Sequence, residues 1–158
     1  MKQLIIIPVL FIFLFCGAAH SLEQTNEAPV DSVRSLEGVI IKVKTAGELV
    51  LWTKKGVHPF TLYGIDLPDP ASVKGREAQK KVSDLIFNKL LHVHLMEENS
   101  GKPPGIVVVR GECVNEKLVR TGVARVAESC TAKGRCDRWR EAEQKARAEK
   151  AGLWKTTD

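Results

Sequence analysis

Between positions 39 and 65 the chain runs through three short stretches of alternating character, with no helical segment between them. Val39, Ile41 and Val43 alternate with Ile40, Lys42 and Lys44; Leu49 and Leu51 follow; Phe60, Leu62 and Gly64 then precede Ile65. A period of two is the pattern of a strand with one buried face, and Lys54, Lys55 and Gly56 supply a hairpin turn. The chain therefore starts its fold as a three-stranded meander.

The segments after this meander restrict the fold further. Pro68, Asp69 and Pro70 stop the third strand, and Gly75 to Asn88 reads as an amphipathic helix with Ala78, Val82, Leu85 and Ile86 at helical spacing. Leu91, Val93 and Leu95 alternate with His92, His94 and Met96, and Ile106 to Val109 supplies a fifth strand after a loop of Gly and Pro. Val114 to Thr121 suits a short helix closed by Gly122. A last helix, Asp137 to Lys150, begins at an Asp cap, puts Trp139, Ala142 and Ala146 on one face, and ends at Gly152 so that Leu153 and Trp154 fold back. Strand and helix do not alternate regularly, so the expectation is an α+β protein, a five-stranded OB-type barrel with three helices, and not a doubly wound sheet.

At 158 residues, 44% hydrophobic and 27% charged, the chain has room for one domain and a targeting segment, which excludes a large multidomain enzyme. Leu4 to Phe15 is almost unbroken apolar sequence behind Lys2 and is followed by Gly17, Ala18, Ala19 and Ser21. This is the pattern of a secretory signal peptide over residues 1–21, cut after Ser21 or after Ala19. A bilayer crossing needs about 20 apolar residues, so no stable membrane anchor is expected after cleavage. Lipid attachment at Cys16 is disfavoured by the bulky Phe15. Residues 22–35 are polar and aperiodic, as in a flexible tether, and the folded domain spans 36–154. The expected location is outside the cytoplasm, secreted or periplasmic. Without residues 1–21 the chain has 23 basic and 19 acidic residues, a mild excess compatible with a polyanionic partner but insufficient to establish one. An oxidising compartment favours disulfides, and a short bridge between Cys130 and Cys136 is preferred, with Cys113 pairing to Cys130 as the alternative.

Four strings in order carry a resemblance: FTLYGIDLPDP at Phe60 to Pro70, GREAQ at Gly75 to Gln79, VNEKLVRTGVARV at Val114 to Val126, and CDRWREAEQKARAEKAGLW at Cys136 to Trp154. Over Leu36 to Trp154 the chain resembles the thermonuclease family, the staphylococcal nuclease-like OB-fold domains. The resemblance implies hydrolysis of phosphodiesters with Ca2+ held by two aspartates and a threonine carbonyl, a glutamate near the attacking water, and two arginines on the phosphate. Carried over, Asp66 takes one calcium position, Glu48 replaces the other, and Asp69 stands for the catalytic glutamate with a shorter reach. An ungapped reading puts Gly47 in place of Glu48 and removes that ligand. The arginine positions are held by Thr61 and by Pro103, Pro104 and Gly105, leaving Lys102 or Arg110 as substitute phosphate contacts.

Each feature also has a plainer role. Asp66 and Asp69 lie in a proline-flanked turn where aspartates serve as turn formers and caps. His92 and His94 read as a solvent-facing pair, Trp139 and Trp154 as packing for the last helix, and the interleaved charges from Lys133 to Glu149 as a solvated helix face. The functional expectation is a thermonuclease-like protein with a degenerate catalytic site that binds single-stranded nucleic acid or a protein. The alternative is an active calcium-dependent nuclease acting on DNA or RNA.

Overall fold

The structure, a computed structural model, describes residues 34–96 and 101–155. In chain order the elements are β1 (Arg34–Val43), β2 (Glu48–Thr53), β3 (Gly56–Leu62), β4 (Ile65–Asp66), α1 (Val73–Ile86), β5 (Leu90–Leu95), β6 (Pro104–Val109), β7 (Glu112–Cys113), α2 (Val114–Arg120), β8 (Arg125–Val126) and α3 (Arg135–Ala148). A 3-10 turn, Gly152–Trp154, ends the described chain.

β3, β2, β1, β5 and β6 pair as antiparallel neighbours in that order, and β3 then meets β6 in parallel through Thr61 with Pro104 and Leu62 with Gly105. The five strands form a closed ring, as the order of elements predicts. Closure removes the sheet edges that would otherwise expose unpaired backbone. Ile40, Leu49, Leu51, Phe60, Leu91, Val93 and Val107 are buried inside, joined by Val82 and Ile86 of α1, Leu118 and Val119 of α2, and Trp139 of α3.

The structure corrects several expectations in detail. β1 starts at Arg34, whose partner is Leu95, and Ser35 pairs with His94, so the barrel takes in the last two residues of the expected tether. The expected signal peptide and residues 22–33 lie outside the described residues. Within β1 the simple alternation fails: Ile40 pairs with Leu51 but Lys42 with Val50, so Ile41 is an extra residue at a bulge. The bulge shifts the phase, burying Ile40, turning Ile41 outward and bringing Val43 back against the core.

The expected third strand is also divided. It stops at Leu62, and Ile65–Asp66 turns away to pair with β8. Gly64, at φ 66°, makes that turn, and a Cβ there would lie 2.7 Å from the Cys130 sulfur.

α1 begins two residues early because Ser72 caps it, its hydroxyl accepting from the Gly75 amide at 2.9 Å. α3 also begins two residues early, with Gly134 at the N-cap. Asp137 is not the N-cap; its carboxylate reaches back one turn to accept from the Gly134 amide at 3.0 Å. Cys130 and Cys136 are bridged with their Cα atoms 5.8 Å apart, and Cys113 is a half-buried free thiol. The bridge ties the segment entering α3 to the turn beside Gly64.

Candidate functional site

Of the residues singled out by the resemblance, Glu48, Thr61, Lys102 and Pro103 to Gly105 fall around the rim where β2, β3 and β6 meet. Register places Glu48 opposite Thr61, and Thr61 opposite Pro104. The rim is drawn together by backbone bonds from Thr61 to the Pro103 carbonyl at 3.1 Å and from Leu62 to the Gly47 carbonyl at 3.1 Å. The Glu48 amide also donates to the Thr45 hydroxyl at 3.1 Å, fixing the turn before β2.

The Glu48 carboxylate is already occupied. One of its oxygens accepts from the Lys102 ammonium at 2.5 Å and pairs with the Lys44 ammonium at 3.0 Å. Bonds from Lys102 first, and then Lys44, hold its pKa below the ordinary 4.5, against an opposing desolvation cost. A lowered folded-state pKa contributes stability at neutral pH that is lost as the pH falls below 4.5 and through the lowered value. Urea midpoints of the protein and of Glu48→Gln are therefore expected to differ slightly at pH 7 and to converge in acid, the gap staying small because the pair is solvent-exposed.

The other carboxylates are used elsewhere. Asp69 accepts from the Ala71 amide at 2.9 Å through its side chain, while its carbonyl accepts from the Ser72 amide and hydroxyl. That is an Asx turn leading into the α1 cap, the plainer of its two expected roles. Asp66 is exposed on β4, opposite Arg125. Calcium takes about six to eight oxygen ligands, carboxylates prominent among them. Among the described residues no group of three Asp, Glu, His or Cys side chains is gathered that could hold a metal ion. Glu48 is bonded to two ammoniums and Asp69 to its own turn, so in this arrangement both carboxylates already have partners.

The remaining candidates separate. Lys102 precedes β6, while Arg110 lies beyond its other end in a tight turn at φ 50°, so the full strand, about 20 Å, divides them. His92 and His94 point outward beside Glu37 and Ser35, as expected of a solvent-facing pair. Trp139 is fully buried and edge-on to Tyr63 at 6.5 Å. Trp154 is covered by two guanidiniums, Arg125 at 4.9 Å and Arg147 at 4.3 Å from its ring centre.

Two features escape a reading of the sequence. Beside α1 a groove of about 150 Å³, lined by Lys74, Glu77, Lys81, Gly122 and Lys155 among others, adjoins a wider one of about 470 Å³ lined by Asp66, Ser72 and Arg125, the two sharing Lys74 and Leu153. Among the described residues its four cations form no ion pair with a carboxylate. The seven-residue spacing of Lys74 and Lys81 puts them on one helix face, which is a readable signal; the approach of Lys155 and Arg125 is tertiary. The second feature is Asn115, which has no exposed surface and bonds three backbone groups.

The profile of the Staphylococcal nuclease homologue family matches residues 59–156. The chain belongs to that family. The matched span opens inside β3, so the nuclease-homologue match covers Thr61, Asp66, Asp69 and Lys102 but not Glu48. A protein of Capnoides sempervirens, described as an "Uncharacterized 38.1 kDa protein", is 32% identical over 98 residues, which are 61% of this chain and 28% of that protein. This nuclease homologue thus spans little more than a quarter of that relative's length.

Proposed function

We propose that this nuclease homologue is an exported protein that binds single-stranded nucleic acid without hydrolysing it. The observation that carries the reading is the Glu48 carboxylate neutralised by Lys44 and Lys102 at the rim where a catalytic cation would be needed. Thr61 and Pro103 to Gly105 hold the positions that the resemblance gives to the two phosphate-binding arginines. Losing one preorganised donor costs about 3 kcal/mol of transition-state stabilisation, so losing two leaves little catalysis. Retained affinity is supported by the cations of the groove beside α1, which have no carboxylate partner among the described residues and suit a phosphate backbone. Export is supported by the apolar stretch after Lys2 together with the Cys130–Cys136 bridge.

The test is incubation of the purified protein with single-stranded DNA and RNA, in calcium and in chelator, beside a Glu48→Ala/Asp66→Ala variant as contamination control. No cleavage above the variant is expected. Binding to a labelled oligonucleotide should weaken about fiftyfold from 50 to 200 mM salt if four cations contact phosphates. Lys74→Glu/Lys81→Glu should abolish it. Calcium-dependent cleavage that the control variant lacks would establish the nuclease alternative, and absence of binding at low salt would reject the nucleic-acid reading.

A further inference from the structure

Six large hydrophobic side chains are exposed among the described residues, and five of them gather on one side of the barrel. Register fixes the arrangement. Leu90 of β5 pairs with Val39 of β1, Val39 with Trp52 of β2, and Trp52 with Val57 of β3, so the four side chains form one outward row across four strands. At about 4.8 Å per strand the row is about 14 Å wide. Ile41 is turned out by the bulge next along β1, and Phe87 bridges to its neighbour Ile40. Trp52, Val57, Leu90, Ile41 and Phe87 are each between 48% and 62% exposed. Scattered exposed apolar residues are ordinary, whereas several in adjoining register positions call for a covering partner.

The charge around the patch is mainly basic, with Glu37 the acid beside it, two residues before Val39 on the same outward face and next to His92. No acidic residue occurs in 38–44, 50–59 or 85–90, and Lys54 and Lys55 form the tip of the hairpin that carries Trp52 and Val57. Lys42, Lys54 and Lys55 make no ion pair among the described residues. A rim dominated by lysines disfavours a second copy of the same face. A nucleic-acid strand uses aromatic platforms and cations but gains little from Ile41, Val57, Val39 and Leu90. An interfacial surface that combines Trp, aliphatic side chains and unpaired lysines matches the boundary of an anionic bilayer, where the indole sits at headgroup depth and lysines meet lipid phosphates.

We infer that the outer face of β1, β2 and β3, centred on Trp52 and the Lys54–Lys55 turn, docks reversibly on an anionic lipid surface. This is independent of the proposed nucleic-acid groove, which is lined by other residues.

The experiment is co-sedimentation of the full-length protein with vesicles of phosphatidylcholine containing about 30% phosphatidylglycerol, and with phosphatidylcholine alone. Binding should be at least tenfold tighter on the anionic vesicles, with a blue shift of tryptophan emission that Trp52→Ala removes. Lys54→Glu/Lys55→Glu should weaken binding at least thirtyfold, since each lysine near an anionic surface contributes about 1 kcal/mol and the glutamates add repulsion. Arg138→Glu/Lys145→Glu, with the same change of net charge on exposed α3 positions, should leave binding within about twofold. Because Trp52 and the hairpin lysines face solvent, thermal unfolding of these variants should match the parent protein. Equal binding to both vesicle types, no binding to either, or equal loss in the α3 variant each overturns the inference. So does loss of oligonucleotide affinity in Trp52→Ala without vesicle binding, which would assign the face to nucleic acid.

Discussion

Replacing Asn115 with alanine is expected to lower the unfolding free energy by about 3–5 kcal/mol, since each buried polar group left without its partner costs about 1–3 kcal/mol. Its side chain is fully buried in the first turn of α2. The amide oxygen accepts from Val107 N–H at 3.0 Å, and the amide nitrogen donates to the carbonyls of Tyr63 at 3.0 Å and Gly105 at 3.3 Å. One residue thus ties α2 to β6 and to the turn after β3. Alanine strands the Val107 amide and the Tyr63 carbonyl, while the Gly105 carbonyl keeps its bond from the Tyr63 amide at 2.9 Å. Aspartate keeps the acceptor but turns a second negative oxygen toward two carbonyls, so Asn115→Asp should be at least as destabilising at neutral pH. Urea titration of both variants measures this, and a loss below about 1 kcal/mol would mean that water replaces the bonds.

The second large effect is expected at Gly122. It sits at φ 66°, and a Cβ there would lie 2.2 Å from the carbonyl oxygen of Ala151. The approach is close because Leu153 N–H donates to the Gly122 carbonyl at 2.7 Å, docking the C-terminal turn on α2. Gly122→Ala should cost about 1–3 kcal/mol in backbone strain alone, and more because Ala151 must withdraw. Withdrawal also takes Trp154 out from beside Arg125 and Arg147 and removes Leu153 and Lys155 from the groove wall. The variant should therefore show altered tryptophan emission, a lower urea midpoint and weaker oligonucleotide binding together. Weaker binding with unchanged stability would place the effect of Gly122 elsewhere.

These two residues mark the boundary of what the sequence reveals. The ring of five strands follows from alternation and from the order of strands and helices, because burial of one sheet face imposes a two-residue period that survives in the chain. The phase of β1 does not follow, since a run such as Val39 to Val43 reads equally well either way until cross-strand pairing inserts Ile41 as a bulge. Asn115 gives no local sign of burial because its partners are backbone groups up to 52 positions away. The site behaves likewise. Glu48 is legible as an acid at a strand start, but its two ammonium partners are joined only when the loop before β6 returns to β2. Asp69 is readable as a turn former from its flanking prolines, and that is the bond it makes.

The parallel contact of β3 with β6 carries a consequence for how the barrel assembles. Two residue pairs make this seam, and they join positions 61–62 to 104–105. Such a contact gains little until the intervening helix and β5 are in place, because the entropy of closing so long a loop precedes the bonds that reward it. The hairpins β1–β2 and β2–β3 form through short connections, whereas the rim bearing Glu48, Thr61 and Lys102 exists only once the seam is shut. The candidate site therefore depends on closure of this seam, and a growing chain does not possess it until its sequence through Gly105 has been made.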